Sequence, residues 1–225
     1  MEASVLTFQR RVVFVTGGTG YVGRRLIRIL LARGHEVRAL ARPGSERHIP
    51  AGAVAVRGNA LEATSFATQV VPADTFVHLV GIPSPAPWKG PQFRAVDLVS
   101  AKASVTAALT GGIKHFVYVS VAHPAPVMKA YIEVRRECEA LIRASRLAAT
   151  ILRPWYVLGP GHRWPICLLP IYWLLQRLPS TREAALRLGL LTLDQMVRAL
   201  VWGIECPCDD IRVLAVQDIR AIQGG

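Results

Sequence analysis

Acidic residues are scarce in this chain of 225 residues: 15 Asp and Glu stand against 27 Lys and Arg, a formal net charge of +12. Such a surplus favours anionic partners, among them phosphorylated cofactors, acidic lipid surfaces and nucleic acid. Long basic runs are also missing. None exceeds two residues, as at Arg24–Arg25 and Arg135–Arg136, and no aromatic residues interleave with a basic stripe. That pattern argues against nucleic acid. Cysteine is limited to Cys138, Cys167, Cys206 and Cys208, and the last two form Cys-Pro-Cys without a histidine cluster. The expectation is reduced thiols and no metal site. Residues 1–10 lack the apolar core of a secretory signal, and a cytoplasmic protein is expected. No hydrophobic run is long enough to span a bilayer. The run from Ile166 to Leu175 is interrupted by Pro170 and flanked by Arg163 and Arg177.

What is present is a core. Hydrophobic residues make up 52% of the chain and charged residues 19%, which excludes disorder and fits one α/β domain. Strand-length apolar runs alternate with helical patterns, the signature of βαβ units and a parallel sheet. Strands are expected at about 11–16, 36–41, 53–57, 75–80, 115–120, 149–153 and 211–216. Helices are expected at about 21–33, 62–69, 92–110, 128–145, 168–178 and 193–204. The segment from Ile82 to Pro91 holds four prolines and reads as a surface loop, and Pro160-Gly161-His162 marks another.

The sharpest signal is the strand Val12-Val13-Phe14-Val15 running into Thr16-Gly17-Gly18-Thr19-Gly20-Tyr21-Val22-Gly23 and then a helix. Gly17 allows the turn out of the strand. Gly20 removes a side chain where a pyrophosphate approaches, and Gly23 lets the helix pack on the sheet. The helix N-terminus offers amides and a positive dipole end to phosphate, and Thr19 can add a hydroxyl. The strand-loop-helix context makes dinucleotide binding the expected function of this loop.

The next strand decides between cofactors. An acidic residue near its end would hold a ribose 2′-hydroxyl. Ala41 and Arg42 stand there instead, and an arginine pairs with a 2′-phosphate. Arg47 and Ser45 are further candidates. NADP(H) is favoured over NAD(H).

These residues resemble the short-chain dehydrogenase/reductase superfamily, in particular its extended and atypical members. These include epimerase relatives, NmrA-like proteins and relatives of an accessory subunit of respiratory complex I. The resemblance rests on residues 16–23, 57–61 and 77–81. It continues through Phe116-Val117-Tyr118-Val119-Ser120, Ile151-Leu152-Arg153-Pro154 and residues 193–197. It implies a Rossmann-type doubly wound parallel sheet across 1–225, with a small C-terminal part at 155–225 that acts as a lid or docking surface. It also implies cofactor contacts at Tyr21, Val22, Asn59, Ala60, Val80, Gly81 and Pro154, with Ile82 beside them and Asn59 where relatives carry Asp. His78 is expected to be a satisfied strand residue.

In active members a Ser, a Tyr and a Lys four residues later carry the chemistry. The corresponding residues here are Ser120, Tyr131 and Arg135. Arginine can favour tyrosinate by charge and hold the ribose, but it cannot relay a proton. Two readings therefore stay open. One is an NADP(H)-dependent oxidoreductase or epimerase-like enzyme on a small substrate. The other is a non-catalytic cofactor-binding regulator or assembly protein. The run from Trp164 to Leu178 is expected to cover the site rather than to contact a membrane.

Overall fold

The computed structural model describes residues 9–83, 85–158, 183 and 186–222. Seven strands form one all-parallel sheet. They are β1 (Val12–Thr16), β2 (Glu36–Ala41), β3 (Val54–Arg57), β4 (Thr75–His78), β5 (His115–Val119), β6 (Ala149–Leu152) and β9 (Ile211–Leu214). Their order is β3-β2-β1-β4-β5-β6-β9. The order reverses between β1 and β4, the topological switch point at which open α/β sheets bind ligands beyond the strand ends. β7 (Tyr156–Leu158) and β8 (Leu190–Thr192) form a separate parallel pair that the strand pattern did not predict.

Helices cover both faces. Helix α1 (Tyr21–Ala32) turns Leu26, Ile27 and Leu30 inward and Arg24, Arg25 and Arg28 to solvent. It shares one core with α4 (Leu193–Glu205), which contributes Met196, Val197, Leu200 and Ile204. The other face is covered by α2 (Val99–Thr110) and α3 (Lys129–Ala144) over an aromatic core. There Phe76 lies 5.2 Å from Phe14 on one side and 5.2 Å from Phe116 on the other.

The expected helix at 62–69 is instead two 3₁₀ turns, Ala63–Ser65 and Ala67–Gln69. Ser65 Oγ bonds the Glu62 carbonyl, and Asn59 Oδ1 accepts from the Leu61 amide, so side chains compete there with a helical ladder. The helix expected from residue 92 opens as Gly90–Gln92 and runs through a π segment, Phe93–Leu98, before α2. The late strand stops at Leu214, and Val216 begins a short helix, α5 (Val216–Ala221). The expected helix 168–178, the run Trp164 to Leu178 and the loop Pro160-Gly161-His162 lie outside the described residues. β9 belongs to the main sheet, so the far end of 155–225 is continuous with the nucleotide-binding architecture. No helix among the described residues is long and apolar enough to cross a membrane.

Candidate functional site

The loop between β1 and α1 is built from backbone. Gly17 has φ +77°, and a Cβ on it would meet the Leu79 carbonyl carbon at 2.8 Å. A Cβ on Gly23 would overlap the Gly17 carbonyl oxygen and lie 2.8 Å from Gly18 Cα. By contrast, a Cβ on Gly20 would meet only the Gly17 oxygen, at 3.1 Å, so the space outside this residue is open. Helix α1 starts at Gly20 with no side-chain cap and no acidic residue in its first turn. Its leading amides and dipole are thus available to an anion, which fits the pyrophosphate of a dinucleotide. Thr19, Tyr21 and Val22 are half-buried around this turn.

The ends of β2 and β3 lie side by side, where Ala41 pairs with Arg57. Arg57 is committed to Glu46 at 2.5 Å, whereas Arg42 and Arg47 are exposed and have no ion-pair partner among the described residues. Asn59 is used by its own turn: its Nδ2 donates to Glu62 Oε1 at 3.0 Å. Ala60 packs at the edge of the core.

At the other side, the Val80-Gly81-Ile82 segment leaves β4 over a buried ion pair. Arg135 Nη2 lies 2.6 Å from Asp97 Oδ1, and both side chains are almost fully buried. Asp97 comes from the π segment, and its other oxygen accepts from the Ile82 amide at 3.1 Å. Arg135 Nη1 also donates to the Tyr118 hydroxyl and the Val119 carbonyl. A Cβ on Gly81 would come within 2.5 Å of Arg135, so glycine is required there by the guanidinium itself. Burial lifts the Asp97 carboxyl, opposed by Arg135 and the Ile82 amide. His78 beside this pair is held near pKa 3 by burial and by the Arg135 charge, so it is neutral. Its Nδ1 lies 2.9 Å from Thr16 Oγ1 and 2.8 Å from Ser104 Oγ.

Tyr131 and Arg135 share a face of α3, and the guanidinium carbon sits 5.1 Å from the Tyr131 ring centre. Burial raises the Tyr131 phenol above its ordinary value, and Arg135 offsets this only in part. The charge expected to favour tyrosinate is largely spent on Asp97. Ser120 Oγ donates to Glu139 Oε1 at 2.6 Å, and Arg153 holds the same carboxylate through Nε at 2.9 Å and Nη2 at 2.5 Å. Burial pushes the Glu139 carboxyl up, but the Arg153 and Ser120 bonds outweigh it and leave it lowered. Pro154 is buried, and its carbonyl accepts from the Ala122 amide.

Asp97, Tyr118 and Glu139 are the site residues that spacing alone did not single out. Two signals were available. Asp97 is the sole carboxylate between Asp74 and Glu133, and Glu139 follows Arg135 by one helical turn.

Comparison with known proteins places the chain among nucleotide-binding relatives. Residues 17–162 match the model of a family described as NAD(P)H-binding. A ceramide reductase of Caulobacter vibrioides is 30% identical over 95% of this chain and 67% of its own length. A 3-beta-hydroxysteroid dehydrogenase of Mycolicibacterium neoaurum is 32% identical over 48% of this chain and 31% of its own length. The chain thus spans from about a third to two thirds of these relatives. The structure of the Bordetella bronchiseptica enzyme WbmH in complex with NAD+ superimposes with a TM-score of 0.67 at 19% identity, covering 92% of this chain and 76% of that one.

Proposed function

The chain belongs to a family described as NAD(P)H-binding, and from that premise we propose that it is an NADP(H)-dependent reductase of the short-chain dehydrogenase/reductase type, acting on a lipophilic carbonyl compound. The observation that carries the reading is the meeting of two features at one sheet edge. An uncapped helix N-terminus over a glycine loop lies at β1, and a tyrosine under an arginine lies at β5 and α3. Arg42 and Arg47, both without an ion-pair partner among the described residues, support a 2′-phosphate. The relatives' names, a ceramide reductase and a steroid dehydrogenase, support a lipophilic substrate.

The residues divide the work. Gly17 to Gly23 and the first turn of α1 hold the pyrophosphate, and the segment 80–82 backs the nicotinamide ribose. An NADPH held there would supply hydride chemistry to the substrate carbonyl. Tyr131 gives its phenolic proton to the carbonyl oxygen, and its raised pKa makes it a weaker acid than an ordinary tyrosine. Arg135, anchored by Asp97, fixes the ring of Tyr131 and cannot pass on a proton. The Tyr131 proton is therefore restored from solvent.

The test is NADPH oxidation against a panel of long-chain and polycyclic ketones. Tyr131→Phe should lower turnover by about 10²–10⁴-fold and leave cofactor binding intact. Unchanged turnover would remove Tyr131 from the reaction. One observation favours a second reading, a cofactor-binding regulator: Ser120 directs its proton to Glu139 rather than outward. Tight NADPH binding without turnover, in the parent and in Arg135→Lys, selects that reading.

A further inference from the structure

The two loops that follow β4 and β5 form a rim with an unusual composition. Pro83, Pro85, Pro87, Pro124 and Pro126 are exposed, Trp88 is 80% exposed and Val127 is 52% exposed. The loops meet: the Pro87–Lys89 turn leads into Gly90, where a Cβ would touch Ala130 at 3.5 Å, next to Lys129 at the start of α3. Met128 packs against the core beside Val127, so the exposed residues sit on a held backbone.

The charge on this rim is of one sign. Asp97 is the sole acid from residue 75 to 132, and it is buried against Arg135. The nearest surface carboxylates, Glu133 and Glu137, are both bonded by Arg94. Lys129 and Arg136 have no ion-pair partner among the described residues and line, with His123, Ile132 and the two Arg94-bonded carboxylates Glu133 and Glu137, a groove of about 840 Å³ beside the rim. An exposed tryptophan with apolar neighbours inside a cationic border has the chemistry of a membrane interface. The indole suits the boundary between headgroup and acyl chain, and lysines suit anionic headgroups.

We propose that this rim, centred on Trp88, Val127 and Lys129, docks the protein on an anionic lipid surface. The cofactor edge of the sheet would then face the bilayer. The proposal stands apart from the reductase reading, because it is read by binding and not by turnover. A single indole with a few cations gives weak, reversible attachment.

The experiment is co-sedimentation of the full chain with vesicles of phosphatidylcholine alone and of phosphatidylcholine with about one third phosphatidylglycerol. Binding is expected only to the mixed vesicles, with partitioning that falls as salt is raised. Lys129→Glu should reduce partitioning by about fivefold or more, and Trp88→Ser should reduce it further. Both variants should keep the parent's NADPH affinity, which separates loss of docking from misfolding. Binding to neither vesicle, equal binding to both, or indifference to both substitutions overturns the proposal. So does a stable oligomer that Trp88→Ser dissociates, since the rim would then be a protein interface.

Discussion

The two ends of the proposed cofactor cleft are made differently. The pyrophosphate end is backbone: three glycines, a strand end and the first turn of a helix, all within residues 16–24. The proposed reaction end is side chains drawn from four elements, held by Asp97–Arg135 and by Ser120–Glu139–Arg153. A backbone site tolerates no added atom where the chain packs on itself, as at Gly17 and Gly23, but needs no distant partner. A side-chain site fails when one partner is removed, because the other is left charged and buried.

The largest effect should come at the backbone end. Gly23→Val places carbon atoms on the Gly17 carbonyl and on Gly18 Cα, and neither backbone group can swing aside. Cofactor binding should be abolished and the urea midpoint should fall. Gly20→Val faces open space, so it should keep its stability and lose affinity. If Gly23→Val titrates with NADPH as the parent does, the loop is not the cofactor site.

At the side-chain end, Asp97→Ala strands Arg135 in the interior. A loss of about 3–5 kcal/mol in unfolding free energy is expected, on the scale of broken buried pairs. Asp97→Asn keeps an acceptor for the Ile82 amide and should lose less. Urea unfolding of the two variants decides. Equal, small losses would mean that the pair does not hold this end together.

The same contrast explains what was legible in the sequence. Glycine spacing after an apolar strand encodes the loop locally, and strand-helix alternation encodes a parallel sheet, so both could be read, although the strand order could not. The Asp97–Arg135 contact joins residues 38 positions apart, through a π segment that no periodicity announces. Ser120 was legible as the end of β5, but the carboxylate that captures its proton was not. The 62–69 segment was misread because Ser65 and Asn59 bond their own turn, a local preference that outweighed its helical pattern.

Acid should sharpen the comparison between opposite edges of the sheet. His78 ends β4 near the cofactor edge, and His115 begins β5 at the other. Burial first, then nearby arginines, lowers them to about 3 and about 4. The unfolded chain takes up these protons below about pH 6.5, before the fold does, so stability is full above that pH and declines below it. At about pH 5 each histidine accounts for a loss of about 2 kcal/mol, near 4 together. Glu139, whose carboxyl is lowered, adds a loss only below the ordinary carboxylate range. Urea unfolding at about pH 7.5 and pH 5 reads the sum, and His115→Asn should remove half of it. A flat profile would show that neither ring is buried neutral.

The smallest expected effect tests the adenosine corner, where the backbone end gives way to side chains. Arg57 is neutralised by Glu46, whose carboxyl is lowered by its own backbone hydrogen bond and by Arg57. That leaves Arg42, at the end of β2, and Arg47 as cations able to meet a 2′-phosphate. A hydrogen bond to a charged group is worth about 1.5–3 kcal/mol when shielded and less where water competes, and Arg42 is exposed. NADPH should therefore bind about tenfold more tightly than NADH, and Arg42→Ala should remove most of that margin. NADH affinity should not change, because a 2′-hydroxyl has no charge for arginine to meet. Arg47→Ala should have a similar but smaller effect, and the double variant should bind the two cofactors alike. Calorimetry with both cofactors on the four proteins measures each step. Tighter NADH binding by the parent would reverse the assignment. Equal loss of both cofactors in Arg42→Ala would mean that the side chain supports the loop between β2 and β3 rather than the phosphate.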